Sequence, residues 1–437
     1  MRVSADTRST LPASETSKHA CPRLYCAILA VVILTAFAVS FSLALARGPR
    51  VAADLQNDSV GYHQLATSIL SRFSYEKCTF QAPGYPAFLA LVYAVAGAQR
   101  MWPVYLVQAM LFAACLLLVY GISLRITQNA GMSILAVCAC ATWWRFYKIV
   151  GEVMTETLAA VLVAASVYVL LLAIRKPTWS RCALLGLLMG CGAFTKGPFL
   201  LFIPVAVLFI AFTGDERARR LSAAVLTLAC AGILIVPWTV RNHRLTGEII
   251  PVQTGGGFNL WCGNWPQYYV TQYPVLRWNL DHFPPPLNRM MRGKTEIEQE
   301  HILARQGWHY IRQRPLRAAR IFAFKFSELW LGRLGVDPRM YSDPPPSIKR
   351  FGIPRDAVIR VTLLIAAVFG WLWLPADAHR RSYPVLALLA AWSIPYILTL
   401  SISRYSDPVT FYEMIFASAA VWLWVERRLR PRRLREA

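Results

Sequence analysis

Apolar positions in this chain neither alternate nor recur at helical spacing over most of its length; they gather into long unbroken runs. Runs stand out at 24–46, 104–124, 132–147, 155–174, 182–195, 198–213, 221–238, 357–374, 384–402 and 408–425. Crossing a hydrocarbon layer of ~30 Å takes about 20 helical residues. In lipid only helices and closed barrels satisfy their own backbone, so the runs predict helices. The expected fold class is all-α: a polytopic membrane protein with about ten transmembrane helices.

Two further apolar segments do not fit as spans. Pro83–Gly97 is short, and Ala319–Leu334 carries Arg320, Lys325, Glu328 and Arg333. Each is expected as an interfacial helix with its apolar face toward the membrane. The basic residues agree. Arg125, the Arg175-Lys176…Arg181 loop, Arg217–Arg220, His379–Arg381 and Arg427–Arg435 all fall on one side when ten segments span. That side also carries Arg2, Arg8, Lys18 and Arg23, and excess Lys and Arg mark the cytoplasmic face. The organisation expected is a cytoplasmic tail at 1–23, a membrane domain at 24–425 and a basic tail at 426–437. External loops span about 47–103 and 241–355, so function is sought on the external face.

Composition sharpens this picture. The chain is 56% hydrophobic with a mean hydropathy of +0.41. Its net charge of +23 would suggest nucleic acid in a soluble protein. Here the charges flank apolar runs, and no nucleic-acid partner is expected. Of ten cysteines, six lie inside runs and behave as small hydrophobes. Cys78 and Cys262 fall in the external loops, where they could pair, and no spacing reads as a zinc site. Leu24–Ala46 is too long for a signal-peptide core and is read as a retained span. A bacterial inner membrane is the expected location, with the active site facing the periplasm.

Several polar residues could carry chemistry at the external face. From Asp58 the series Asp58, Tyr62, Ala66, Leu70 shares one helical face. A carboxylate there can act on a lipid-linked headgroup, or Asn57 or Asp58 can simply cap the helix Val60–Ser71. Glu152 and Glu156 are one turn apart at the mouth of a span, where ionisable groups are costly to bury. Lys196, Arg241 and Arg404 are external cations that the positive-inside rule does not require. Together they could bind a phosphate; separately each could snorkel to lipid. Neither a phosphate-binding loop, a HExxH motif, a GxSxG elbow nor a dinucleotide fingerprint occurs.

In order along the chain stand Asp58-x3-Tyr62-x3-Ala66, Ala82-Pro83-Gly84-Tyr85-Pro86 and Thr155-Glu156. Gly186-x3-Gly190, Thr195-Lys196-Gly197-Pro198, Pro237-Trp238-Thr239-Val240-Arg241-Asn242 and Arg404-Tyr405 follow. Over roughly 24–425 this order resembles the C-type integral-membrane glycosyltransferases, in the branch of aminoarabinose transferases and dolichyl-phosphate-mannose protein O-mannosyltransferases. The resemblance implies transfer of a sugar from a polyprenyl-phosphate donor to a lipid, glycan or protein acceptor, usually with inversion. It makes Asp58 the candidate general base, or, for a phosphate acceptor, a group that positions it or binds a metal. Lys196, Arg241 and Arg404 become donor-phosphate ligands. Glu156 and Asp54 would orient substrate, with Tyr62, Tyr85, Asn242 and Tyr405 in substrate contact and the Trp261/Trp265 region stacking on sugar or capping the cavity. The resemblance names no cofactor for certain, and a divalent metal is possible. Many relatives carry two adjacent acidic residues where this chain has Asp58-Ser59, which leaves a divalent metal open. Gln81-Ala82-Pro83-Gly84 stands where the aminoarabinose transferases have a lysine before two prolines, so their specificity does not carry over. The alternatives are a glycolipid transporter or flippase without covalent transfer, and a non-catalytic membrane scaffold.

Overall fold

The computed structural model describes residues 23–75, 79–265, 283–332 and 355–433. Cys78, Arg333, the polar N-terminal tail and the end of the basic tail therefore lie outside the described residues, and with Cys78 the suggested pairing to Cys262. Within them the chain forms seventeen α-helices and no β-strand. Nine of the ten apolar runs each fall largely within one helix and the tenth is divided between two, so the chain is an all-α polytopic membrane protein.

Six segments are long and apolar enough to cross a membrane: Arg23–Arg47, Trp102–Thr127, Glu156–Arg175, Arg217–Thr246, Arg355–Trp373 and Ser403–Arg428. Ala130–Thr142, Trp179–Ala193 and Phe199–Phe212 are apolar but shorter. Ala376–Leu398 is long but opens with Asp377, His379, Arg380 and Arg381. The run at 132–147 is not one helix. It breaks at Trp143, whose backbone is extended, and restarts as Trp144–Val150.

Packing separates the centre of the bundle from its edge. The Glu156–Arg175 span is 61% buried within the protein, whereas Arg23–Arg47 is only 22% buried. A mostly exposed apolar helix suits a lipid-facing position, because lipid tails solvate Leu and Val as well as a core does. Close helix contact instead uses small residues. A Cβ at Gly186 would clash with the Thr227 carbonyl oxygen, and its absence lets Trp179–Ala193 lie against Arg217–Thr246.

Two features position the site. The segment between the first two long apolar helices is closed at its base, where Ala52 N donates to Gln99 O at 3.0 Å and Met101 N to Arg50 O at 3.1 Å. Between these ends lie the helices Asp58–Arg72 and Gly84–Ala96. The second is the tight connection Thr195–Pro198 between two apolar helices. Gly84 N donates to Phe194 O at 2.7 Å, docking the loop onto that connection.

Candidate active site

A single carboxylate organises one end of the bundle. Glu156 opens its span, and at 1% exposure a charged carboxylate would be unstable without partners. Lys196 Nζ donates to Glu156 Oε1 at 3.0 Å. Arg404 Nε lies 3.6 Å from the same oxygen. The second Arg404 branch, Nη2, donates to Asp58 Oδ2 at 3.4 Å. Residues 58, 156, 196 and 404 thus form one chain of two cations and two carboxylates.

Aromatic rings surround it. Lys196 Nζ sits 5.0 Å from the centre of the Tyr405 ring, and Tyr405 stacks on Tyr396 at 4.5 Å. Trp392 Nε1 donates to the Tyr405 carbonyl at 2.8 Å, fixing that backbone. Tyr62 meets Tyr85 edge to face at 5.2 Å, and the Tyr85 hydroxyl donates to Gln108 Oε1 at 2.9 Å. Burial raises the Tyr62 phenol above its ordinary value, and the fields of Asp58 and Glu156 push the same way. Tyr62 therefore keeps its proton and stays a hydrogen-bond donor.

These groups line an open cavity of about 2020 Å³. Asp58, Tyr62, Glu156, Lys196, Arg404 and Tyr405 all face it, as does Trp265. The capping alternative for the first helix is not realised: Asn57 makes no side-chain cap, and Asp58 is instead the first helical residue. Glu152 and Glu156 do not share a helix face, since the helix begins at Glu156, and Glu152 pairs with Lys148 at 3.6 Å.

Other expected residues lie elsewhere. Arg241 is not among the cavity-lining residues; its guanidinium packs over the Trp238 ring at 4.4 Å and donates to Asn242 Oδ1 at 2.8 Å. Asn242 is fully buried and donates to the carbonyls of Ile250 and Val252, holding the following loop. Asp54 accepts from the Arg50 and Val51 backbone in a local turn. Tyr85 is buried beneath Tyr62 rather than lining the cavity, and Trp261 is buried beneath Trp265, stacked at 4.8 Å. The cavity also holds residues not singled out from the sequence: Arg145, Asp356, Tyr396 and Glu328. Asp356 and Tyr396 are not marked by anything local, whereas Arg145 is a charge inside the apolar run 132–147, a signal the sequence reading passed over. Among the described residues no cluster of three or more metal-ligating side chains occurs.

Residues 81–240 match the family of dolichyl-phosphate-mannose-protein mannosyltransferases. The resemblance seen in the sequence is borne out. The matched segment holds Glu156 and Lys196 and ends before Arg404. Among solved structures, the oligosaccharyltransferase AglB from Archaeoglobus fulgidus, in complex with an inhibitory peptide and a dolichol-phosphate, aligns with a TM-score of 0.54 at 12% identity. It covers 94% of this chain and 52% of that one. The same archaeon's oligosaccharyltransferase tethered to an acceptor peptide gives 0.52 at 13% identity, covering 93% and 50%. ArnT from Cupriavidus metallidurans bound to undecaprenyl phosphate gives 0.41 at 12%, covering 92% and 78%. At these identities the archaeal likeness is one of fold, and the chain spans about half the length of the oligosaccharyltransferases. No curated protein matches the sequence.

Proposed function

We propose that this protein transfers a sugar from a polyprenyl-phosphate donor to a hydroxyl-bearing lipid, glycan or protein acceptor, on the periplasmic face of a bacterial inner membrane and with inversion. The observation that carries this reading is the Asp58–Arg404–Glu156–Lys196 chain at the wall of one large cavity. The family match over 81–240 supports the donor class. The fold it shares with AglB, solved in complex with a dolichol-phosphate, is consistent with that class.

The chemistry follows from the charges. Glu156 is fully engaged by two cations, so it orients Lys196 and Arg404 and is a poor base. Asp58 has a half-exposed side chain and a single long contact to Arg404. An anionic donor phosphate competes for the Arg404 fork, which suits phosphate geometry. The released Asp58 carboxylate then takes the proton from the acceptor hydroxyl as its oxygen bonds to the anomeric carbon. The bond from that carbon to the phosphate oxygen breaks on the opposite side, and polyprenyl phosphate leaves with the electron pair. Lys196 and Arg404 stabilise the charge gathering on it. Tyr62 donates to the substrate from beside Asp58.

The test is transfer by purified protein from a panel of polyprenyl-phosphate sugars. Asp58→Asn should lose about 100-fold or more in transfer rate, the scale of a general base, with donor binding retained. An Asp58→Asn protein active at the wild-type rate sinks the assigned base. Movement of glycolipid across vesicles without covalent transfer would favour the flippase reading.

A further inference from the structure

The 3-10 turn that presents Arg404 and Tyr405, Ser403–Val409, also carries a second charged cluster, in which Arg145 and Asp356 reach the cavity wall while Asp407 and Arg360 lie behind it. Asp407 is 2% exposed and does not line the cavity. Its carboxylate accepts from Arg145 Nε and Nη2 at 2.7 and 2.9 Å, a two-pronged contact. Arg360 Nη2 donates to it at 3.2 Å, and Arg360 Nη1 donates to Ser406 Oγ at 3.0 Å. Asp356 balances the charge, 3.3 Å from Arg360 Nε and 3.7 Å from Arg145 Nη1. Three elements meet here: the turn, the Trp144–Val150 helix and the Arg355–Trp373 helix.

Such a network is an expensive way to hold helices together. Buried ion pairs often stabilise no better than apolar side chains of equal volume, and the best-attested use of such groups is to fix one register or geometry. What it fixes is the turn. Arg404 is long, its side chain is 37% exposed, and it must hold one position between Asp58 and Glu156. A misplacement near 1 Å would cost much of its effect on a developing phosphate charge. Ser406 and Asp407 are clamped two and three residues beyond it. We infer that Arg145, Arg360 and Asp407 are positioning residues that set Arg404 and Tyr405 for the transfer. This inference rests on the proposed function.

A double-mutant cycle in the sugar-transfer assay tests it. Asp407→Asn keeps the shape of the side chain, removes its charge and should slow transfer by about tenfold or more, although Asp407 touches no substrate. Added to Arg404→Gln, it should slow transfer little further, because the group it positions is already gone. Effects that multiply in the double variant overturn the inference while leaving the function intact. Arg404→Gln active at the wild-type rate overturns both. If Asp407→Asn does not fold, Arg360→Lys replaces it, keeping the charge and losing the planar fork. The same lack of additivity with Arg404→Gln is expected, and multiplying effects again count against it.

Discussion

Glu156 and Lys196 are forty residues apart in sequence and 3.0 Å apart in the folded chain, and their neighbours explain how the meeting is held. Lys196 follows Phe194, whose carbonyl takes the Gly84 amide. A Cβ on Gly84 would come within 2.7 Å of that carbonyl and 2.8 Å of Thr195 Oγ1. Gly84→Val should therefore lower stability by about 1–3 kcal/mol, as overpacking does. It should also slow transfer by shifting Lys196. Thermal unfolding in detergent and the transfer assay check this, and wild-type values in both would mean that the contact relaxes freely. At this scale the sequence identified Asp58, Glu156, Lys196 and Arg404 as chemical types in suitable places. It could not separate Arg404 from Arg241, because both were expected as cations on the same face and each has an aromatic residue within three positions in the chain. Only packing separates them: Arg241 stacks on Trp238 outside the cavity, while Arg404 reaches Asp58.

Helices were the most legible level, since apolar runs of membrane length admit little else. The break at Trp143 was not read from the sequence, because no Pro or Gly stands at it, although Arg145 in the short helix that follows interrupts the apolar run. The amphipathic helix Pro315–Trp330 offers a further case. Its Lys325 is fully buried and donates to Asn264 Oδ1 at 3.0 Å and to the Leu398 carbonyl at 3.3 Å, joining three segments. Burial pushes its ammonium down to about 7. An unfolded lysine holds its proton to ~10.4, so between these values the unfolded chain binds a proton that the folded chain lacks. Stability from this group therefore rises as pH rises from about 7 toward 10, by at most ~1.4 kcal/mol per pH unit. The thermal midpoint of wild type should climb between pH 7 and pH 9, and Lys325→Met should remove the climb. An equal climb in that variant would assign the effect to other groups.

For the whole molecule, the proposed sidedness is the property most open to direct measurement. In a background with native cysteines replaced, Gln56→Cys and Glu216→Cys both put a thiol at an exposed position, one near the cavity and one in the basic loop before Arg217. A membrane-impermeant maleimide should label the first in intact cells and the second only after permeabilisation. The reverse pattern would turn the cavity to the cytoplasm. Sequence alone determined that this chain is helical and crosses the membrane repeatedly. Those properties are summed over many residues, and each depends only on local hydrophobicity and charge. Tertiary structure decided which polar residues meet. It put Asp58, Glu156, Lys196 and Arg404 from four distant segments on one cavity and excluded Arg241. It also set Asp407 between Arg145 and Arg360. A buried charge is tolerated only where the rest of the fold supplies its partner, and that partner is not written near it in the chain.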